Sequence, residues 1–458
     1  MRSRRVVLPD GVRPASVHVV RGVIARIDEY DAVPADRTDP AATPPAQVHD
    51  AGDLVLMPGL VDTHVHVNEP GRSEWEGFAT ATRAAAAGGV TTIVDMPLNS
   101  SPPTTTVRAF EAKAQSTEGK LRVDVALTGG VVPGNAPELR GLVEAGCFAF
   151  KCFLVHSGVD DFPHADEDVL RAAMPVLADV GAPLLVHAEL SGPIDAALRR
   201  QGNLSEPELR RYVHWLESRP KQAENEAVEL IARLSRSTGA SAHVVHLSSA
   251  DAALLLRDAR DAGVAVSAET CPHYLTLASE DVPDGATEYK CAPPIRERHN
   301  RELLWRALAD GIVTQVVSDH SPSPSSLKCV GSGDFSKAWG GIASLELGLA
   351  ATWTEARARG MRVEQLVEWM CAAPARRVGL DRKGSIAPGR DADLVVWNPD
   401  AEWVVDVGRL HQRHKLTPYA RRSLRGVVQA TFLRGQKVYA GGSHIGEPSG
   451  RLLRRGRA

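Results

Sequence analysis

The sequence is poor in cysteine and contains no long apolar run. Six cysteines occur among 458 residues. They show neither a Cys-x-x-Cys pair nor the density of a disulfide framework, so we expect free thiols. No segment approaches ~18 uninterrupted apolar residues, and the basic N-terminus is not followed by a signal-peptide core. The sequence therefore predicts a cytoplasmic protein that does not enter a membrane.

Charge of neither sign is in marked excess. The formal net charge is −3 at pH 7, whereas proteins that bind nucleic acids or membrane surfaces usually carry a strong basic excess. We therefore expect a small molecule as the partner. Arginines do cluster at the two chain ends, and we interpret them as solvated tails without a role. These are Arg2, Arg4, Arg5, Arg451, Arg454, Arg455 and Arg457.

The two ends of the chain are β-rich. Residues 4–8, 15–20 and 22–28 predict short strands, and residues 31–52 predict an irregular loop. After about residue 375, alternating segments again predict half-exposed strands, which we expect to pair with the N-terminal ones. These later segments are 392–397, 426–433 and 437–439.

Between the β-rich ends, apolar strands alternate with helical segments, which is typical of a parallel β/α architecture. The predicted strands are 59–67, 90–97, 123–129, 147–154, 183–189, 241–248, 264–270 and 312–318. The predicted helices are 75–88, 107–118, 166–180, 222–238, 250–262 and 298–309. Eight β/α units predict a TIM-type (β/α)8 barrel, whose catalytic groups lie at the C-terminal ends of the strands. A doubly wound sheet is the alternative, but no glycine-rich phosphate fingerprint follows an early strand.

The predicted fold is thus an α/β protein in which a TIM-type barrel is inserted into a small β-sandwich formed by both chain ends. We place the N-terminal part of the sandwich at 1–56, the barrel at 57–378 and the C-terminal part of the sandwich at 379–445. Residues 446–458 form the basic tail.

Two histidines end the first barrel strand. His64 and His66 are two residues apart, so in a strand both side chains leave the same face, which is a chelate geometry. Two ordinary half-buried histidines are the alternative. Further candidate ligands at the ends of later strands favour a metal site.

Lys151 lies inside an apolar run on the fourth strand, between Phe150 and Cys152. A buried ammonium without a partner costs several kcal/mol and tends to lose its proton. One interpretation is a lysine paired with a carboxylate at the barrel mouth. The other is a neutral amine that takes up CO2 to form a carbamate, which can bridge two metal ions.

Later strands supply further candidates. His187 ends the fifth strand and Asp319 ends the eighth. His243 and His246 are three residues apart on the sixth strand, so only one should point inward. We select His246 because it is nearer the strand end, and we assign His243 a structural role. His320 should alternate away from the mouth that Asp319 enters.

The six selected residues supply four imidazoles, one carboxylate and one potential carbamate. They are His64, His66, Lys151, His187, His246 and Asp319. This set suits two borderline-soft divalent ions better than one. A hydroxide between two such ions can hydrolyse an amide, and Asp319 is the natural proton acceptor and later donor.

Several motifs resemble those of the amidohydrolase superfamily, in its cyclic-amidase branch of allantoinases, dihydroorotases and hydantoinases. Val-Asp-Thr-His-Val-His at 61–66 resembles the first metal motif of the family, and Phe-Lys at 150–151 resembles its carboxylated lysine. The later blocks are Glu-Thr-Cys-Pro-His-Tyr at 269–274, Cys-Ala-Pro-Pro-Ile-Arg at 291–296, Ser-Asp-His-Ser-Pro at 318–322 and the segment 384–393. The resemblance implies a TIM barrel, a binuclear centre, most simply of zinc with cobalt, manganese or nickel as alternatives, and commonly a homotetramer.

Within this branch, segments 68–77, 96–99 and 337–341 resemble allantoinases most closely. Dihydroorotases hold an anionic substrate with an arginine, an asparagine and a histidine where this chain has Asn68, Ala292 and Ser323. Because those groups are missing, a neutral hydantoin ring with a ureido arm fits better than a carboxylate substrate.

The resemblance implies hydrolysis of allantoin to allantoate. It also implies substrate contacts from the backbone at Ala292, from the loop of Trp339 and Gly340, and from His156. Two rivals stay open. One is a hydantoinase or dihydropyrimidinase, with dihydroorotase less favoured. The other is a metal-free relative that serves as an assembly scaffold, although such a relative would be expected to lose ligands.

Overall fold

The computed structural model describes residues 1–32 and 47–456. Most of the predicted loop 31–52 therefore lies outside the described residues, as does Arg457. In the described part of the chain, no helix combines the length and apolar character needed to cross a bilayer.

Eight parallel strand positions form a closed barrel, which confirms the predicted fold class. The strands are β5 Leu60–Val65, β6 Val90–Asp95, β7 Asp124–Leu127 with its continuation β8 Gly129–Gly130, β9 Phe150–Phe153, β10 Leu184–His187, β11 Ala242–Val244, β12 Val266–Thr270 and β13 Gln315–Val316. They pair in the orders β5-β6-β7 and β8-β9-β10-β11-β12-β13. The ring closes where Val65 bridges His320 in parallel.

Helices follow the strands and cover the outside of the barrel. They are α1 Phe78–Ala87, α2 Val107–Ser116, α3 Leu139–Ala145, α4 Glu167–Asp179, α5 Ser191–Gln201, α6 Glu206–Leu209, α7 Tyr212–Ser218, α8 Lys221–Thr238, α9 Ala250–Asp261, α10 Pro272–Thr276, α11 Arg298–Ala309, α12 Gly348–Ala358, α13 Val363–Val367 and α14 Ala373–Val378. Short 3-10 turns lie at 136–138, 279–281, 287–289 and 407–409, and a π-helical turn at 368–372 joins α13 to α14.

Local sequence explains where these helices begin and how they pack. The side chain of Asp166 caps α4 by accepting the N–H of Val169 at 2.9 Å. In α8 the buried residues include Ala227, Ile231 and Leu234, whose helical spacing places them on one face against the core. All six predicted helices are present, with ends shifted by up to three residues.

Both chain ends contribute to one eight-stranded sheet, as predicted. Its order is β17-β16-β15-β14-β4-β1-β2-β3. The strands are β1 Arg2–Leu8, β2 Gly11–Val20, β3 Val23–Asp28, β4 Val55–Pro58, β14 Leu394–Val404, β15 Ser423–Leu433, β16 Gln436–Ala440 and β17 Ser443–His444. β4 joins the two halves, because it pairs with β1 in parallel and with β14 antiparallel. This unit has its own apolar core, which includes Val6, Val17, Leu394 and Phe432.

The interpretation of the terminal arginines as solvated tails is wrong for the described ones. Arg2, Arg4 and Arg5 lie on β1, an interior strand of the sheet. At the other end, residues 450–455 run along the barrel: Arg451 O accepts the N–H of Val125 at 2.9 Å, and Leu453 donates to Val125 O at 2.7 Å. This C-terminal strap pairs with β7. In the sheet order of the described strands, β7 has β6 as a neighbour on one side only, so backbone N–H and C=O groups on its other side can bond to the strap.

Candidate metal centre and substrate pocket

A cavity of about 250 Å³ opens at the C-terminal ends of the barrel strands. Its size suits a small molecule. All ten residues selected from the sequence line it: His64, His66, Lys151, His156, His187, His246, Ala292, Asp319, Trp339 and Gly340. Folding therefore brings together residues that are up to 276 positions apart in the chain, at the end of the barrel where TIM-barrel enzymes carry their chemistry.

His64 and His66 converge on Asp319. Their Nε2 atoms lie 3.3 and 3.4 Å from the same carboxylate oxygen, Oδ1. Ligand atoms of the three side chains all lie within 4.8 Å of one another, which is close enough to share one ion. Burial lowers the pKa of His66 to about 4, so its ring is neutral and keeps a lone pair for a metal.

A sharp turn aims Asp319 into the cavity. Its φ is +45°, in the left-handed region that aspartate tolerates better than most residues. The carboxylate of Asp62 supports this turn by accepting the N–H of Ser318 at 3.1 Å and that of His64 at 3.2 Å. Burial by itself would raise the pKa of Asp319, but His64, His66 and His246 hold it well below its usual value. Asp319 is therefore a carboxylate that can accept a proton.

His187 and His246 form a second pair. His187 Nδ1 lies 3.0 Å from His246 Nε2, and the His246 ring lies 5.3 Å from the His64 ring between centroids. Burial lowers the pKa of both imidazoles. His187 and His246 are therefore neutral, and this pair adjoins the pair of His64 and His66.

Lys151 lies within β9 and is fully buried. Among the residues that the structure describes, its Nζ has no hydrogen-bond or ion-pair partner. The expected alternative, a lysine paired with a carboxylate at the mouth, does not describe this geometry. Burial lowers the pKa of Lys151 to about 8, which increases the share of neutral amine near neutral pH.

The unpaired atoms around the cavity floor fit a cation centre. Among the buried nitrogens that make no hydrogen bond within residues 1–32 and 47–456, four belong to the selected ligands: His64 Nε2, His66 Nδ1, Lys151 Nζ and His246 Nδ1. Buried polar atoms without partners are uncommon in proteins and call for an explanation. Imidazole and carboxylate donors are those that borderline divalent ions prefer, so the residues present fit metal binding.

Two glutamates that were not selected from the sequence orient these histidines. Glu269 Oε1 lies 2.6 Å from His64 Nδ1, and Glu189 Oε2 lies 2.7 Å from His187 Nε2. Such contacts fix the tautomer and orientation of an imidazole that binds metal through its other nitrogen. Glu189 has a sequence signal, since it follows His187 by two residues. Glu269 has only its place in the 269–274 motif.

We expected His243 and His246 to face opposite sides because both were predicted to lie in one extended strand. That premise is wrong. β11 ends at Val244, and His246 has a φ of +42°, so strand alternation does not reach it. His243 is also directed toward the centre, because its Nε2 lies 3.1 Å from Glu269 Oε2. Its predicted structural role agrees with this contact, since the hydrogen bonds from His243 and His64 hold buried Glu269 as an anion, with a pKa of about 2.

The residues that were predicted to contact the substrate lie at the rim of the cavity. Trp339 is half-buried and packs edge-on against Trp75, with 5.0 Å between ring centroids. A Cβ added to Gly340 would lie 3.9 Å from Ala292 N, so these two segments adjoin. His156 lies at the solvent edge with its side chain 60% exposed, and its Nδ1 accepts the N–H of Gly158.

Four further cavity residues lacked a sequence signal as site residues. They are Asn99, Trp215, Arg219 and Lys290. Asn99 has a φ of +70°, and its buried Oδ1 has no partner among the described residues. Nothing in local sequence foretells that these positions meet at one opening.

The structure supports only part of the argument that missing anion-binding groups favour a neutral substrate. Of the three positions used, only Ala292 lines the cavity, whereas Asn68 and Ser323 are buried beside it. Cationic side chains do line the cavity. Arg219 pairs with Glu189 and Lys337 pairs with Asp334, whereas Lys290 has no carboxylate partner among the described residues. The preference for a neutral substrate therefore stays a prediction.

Comparison with known proteins agrees with this geometry. The model of the amidohydrolase family matches residues 55–438. An allantoinase from Streptomyces avermitilis is 51% identical over 456 residues, which cover 99% of this chain and 98% of that protein. An allantoinase from Saccharomyces cerevisiae is 44% identical over 405 residues, which cover 87% and 86%. The solved structure of an L-hydantoinase (dihydropyrimidinase) from Arthrobacter aurescens has a TM-score of 0.90 and 31% identity, with 99% of both chains covered.

These matches extend over nearly the whole chain and include both the barrel and the sheet built from the chain ends. They agree with the motifs from which the sequence predicted a cyclic amide hydrolase. The chain therefore belongs to the amidohydrolase family.

Proposed function

We propose that this chain is an allantoinase, an enzyme that hydrolyses the hydantoin-ring amide of allantoin to open-chain allantoate in purine degradation. The observation that carries the proposal is identity of 41 to 51% with curated allantoinases over most of the chain. The cavity supports it, because its floor holds the donors for hydrolysis and its volume suits a small ring.

The family implies a binuclear centre of divalent metal ions. Its ligands in this chain are His64, His66, His187, His246 and Asp319, together with a CO2-derived carbamate on Lys151. Zinc suits this donor set, and cobalt, manganese and nickel also suit it. Bound ions supply Lewis acidity, which acidifies water to give the nucleophile and polarises the carbonyl that it attacks.

The protein contributes orientation and proton transfer. Glu269 and Glu189 fix the rings of His64 and His187. The carboxylate of Asp319 takes the proton from the attacking water and returns it to the ring nitrogen as that nitrogen leaves. Its low pKa keeps the carboxylate ionised at the start of the cycle.

Substrate recognition is assigned to the rim. Backbone groups at Ala292 and in the loop of Trp339 and Gly340 hold the amide edge of the ring. His156 covers the cavity from the segment after β9. The side-chain oxygen of Asn99, which has no partner among the described residues, is available to accept a hydrogen bond from the ureido arm.

A hydantoinase or dihydropyrimidinase is the second candidate, with the same chemistry and a different side-chain pocket. The observation that favours it is the close structural similarity to the Arthrobacter aurescens L-hydantoinase. The higher identity to allantoinases over the full chain favours the first candidate. For either activity we propose a homotetramer in the cytoplasm, on the family resemblance and on the sequence alone.

A substrate panel tests the proposal. Purified enzyme is assayed with allantoin, dihydroorotate, hydantoin and dihydrouracil. We expect kcat/KM for allantoin to exceed that for dihydroorotate by at least ~10³, a scale reached when sites differ in buried polar partners. Comparable rates on these two would reject the assignment. A higher rate on dihydrouracil than on allantoin would select the second candidate.

Metal analysis of the same preparation addresses the scaffold alternative. Two ions per chain would support the enzyme. A chain that binds no metal and opens none of the four rings would support the scaffold.

A further inference from the structure

Two adjoining segments contribute to the cavity mouth. One is the 291–292 segment, and the other is the mouth loop, which we define as residues 336–341. Cys291, Ala292, Trp339 and Gly340 from these segments line the cavity. Their relative position fixes the part of the rim that the substrate meets, on the proposed function in which both segments contact the substrate.

Lys290 connects the two segments directly. Its Nζ donates to Ala338 O at 2.6 Å and to Ser336 O at 3.3 Å. Its own carbonyl accepts the N–H of Gly341 at 2.9 Å. The residue that precedes Cys291 thus holds the mouth loop at both of its ends.

The same ammonium also contacts the support of the 291–292 segment. Lys290 Nζ lies 4.2 Å from the centroid of the Trp215 ring, within the range of a cation–π interaction. Trp215 Nε1 donates to Cys291 O at 3.1 Å. One cation therefore holds the mouth loop and the indole that supports the adjoining 291–292 segment.

Stability alone does not account for a lysine here. Lys290 is 5% exposed, and among the described residues it has no carboxylate in ion-pair contact. Burial, with Arg219 and Lys328 nearby, lowers its pKa to about 7, so the charge is costly at this position. An apolar side chain of similar volume often serves stability equally well. A cation that donates to backbone carbonyls fixes the position of the loop that carries those carbonyls, which an apolar side chain cannot do.

We propose that Lys290 is a positioning residue that fixes the shape of the substrate-contacting rim by tying the mouth loop to the 291–292 segment. It makes no contact with the metal ligands, so its loss should weaken substrate binding more than chemistry. The apolar variant Lys290→Met fills the space but cannot donate. Lys290→Arg keeps the cation and its donors.

The test measures KM and kcat for allantoin in the metal-loaded enzyme. We expect Lys290→Met to raise KM roughly 10-fold to 100-fold, the equivalent of losing one or two charge-assisted hydrogen bonds. Turnover should fall less than about 3-fold with metal content unchanged, because an interaction shared by bound substrate and transition state affects KM. Lys290→Arg should recover a large part of the KM effect.

The matched control is Lys437→Met, which removes an exposed lysine whose Nζ lies 5.6 Å from the Phe432 ring centroid, outside the cavity. It should leave KM unchanged. A wild-type KM in Lys290→Met, or a loss confined to kcat, would overturn the positioning role. If Lys290→Met does not fold, Lys290→Gln, which retains a single donor group, replaces it with the same criteria.

The wild-type substrate panel separates this outcome from failure of the proposed function. If the wild type does not hydrolyse allantoin, the proposed function fails. The variants are then compared on the cyclic amide that the enzyme does hydrolyse, so that the role of Lys290 is judged on its own.

Discussion

At the scale of single residues, Asp319 has two proposed tasks: its carboxylate contacts His64 on β5 and His66 just after that strand, and it is the proposed proton acceptor. Asp319→Asn keeps an oxygen ligand and removes the proton acceptor. We expect most of the bound metal to remain while kcat falls by roughly 10² or more, the usual scale of general acid–base catalysis. Metal analysis and steady-state kinetics measure the two effects separately.

Asp258→Asn is a suitable control for this substitution, since Asp258 is exposed on α9 and pairs with its neighbour Arg257. It should leave both metal content and kcat unchanged. Near-normal turnover in Asp319→Asn would remove its proposed proton-transfer role.

Substitution of Lys151 tests the proposed carbamate. An unmodified amine offers one nitrogen and cannot bridge two cations, whereas a carbamate supplies two oxygens and a negative charge between them. Lys151→Ala should therefore lose the binuclear centre and nearly all activity. Small carboxylic acids that occupy the vacated space should restore part of both, as measured by metal stoichiometry and turnover.

Two results would contradict the bridging role of Lys151. One is a Lys151→Ala variant that keeps two metals and full turnover. The other is electron density in active protein that ends at the amine of Lys151.

At the scale of secondary structure, the C-terminal strap acts as an added strand beside β7. Besides its backbone contacts with Val125, Arg455 donates to Gly146 O at 3.0 Å, and Arg454 pairs with Glu111. Net contributions of about 1 kcal/mol per hydrogen bond suggest a total on the order of a few kcal/mol. The strap thus stabilises the barrel far from the cavity mouth.

Removal of residues 449–458 should shorten the half-life of the enzyme at elevated temperature, with initial kcat and KM unchanged. Thermal inactivation is the appropriate measurement, because large proteins often unfold irreversibly. Arg454→Gln, which keeps the backbone pairing, should have a smaller effect. Equal half-lives for the truncated and full-length chains would show that the strap adds nothing to stability.

Strand ends also explain where sequence patterns stop being informative. Alternation correctly grouped His64 with His66, because β5 continues to Val65. It failed at His246 because the strand had already ended and the backbone had turned to a positive φ. A two-residue period holds only while the chain stays extended.

At the scale of the whole molecule, a buried charge cluster joins the sheet to the barrel. Lys383 Nζ lies 2.7 Å from the carboxylate of Asp124 on β7 and 2.6 Å from that of Asp393 beside β14. Arg434, which follows β15, also pairs with Asp124. These carboxylates raise the pKa of Lys383 despite its burial. Breaking such a cluster leaves charges buried without partners, so it holds the two units in one arrangement.

By itself, the sequence was sufficient for the barrel, for the pairing of the two chain ends and for ten of the residues that line the cavity, four of them through the family resemblance. These features follow from local signals: apolar periodicity marks strands and helices, and polar residues at the ends of apolar strands mark the catalytic end of a barrel. The family motifs then indicated the chemistry.

The tertiary structure alone decided which distant residues support that site. Glu269 faces His64 from 205 positions away, Lys290 holds a loop 48 positions later, and Arg454 near the C-terminus pairs with Glu111 of the barrel. No local pattern encodes these contacts, because a hydrogen bond or an ion pair depends on distance in space. That distance is set only when all eight strands close into a ring.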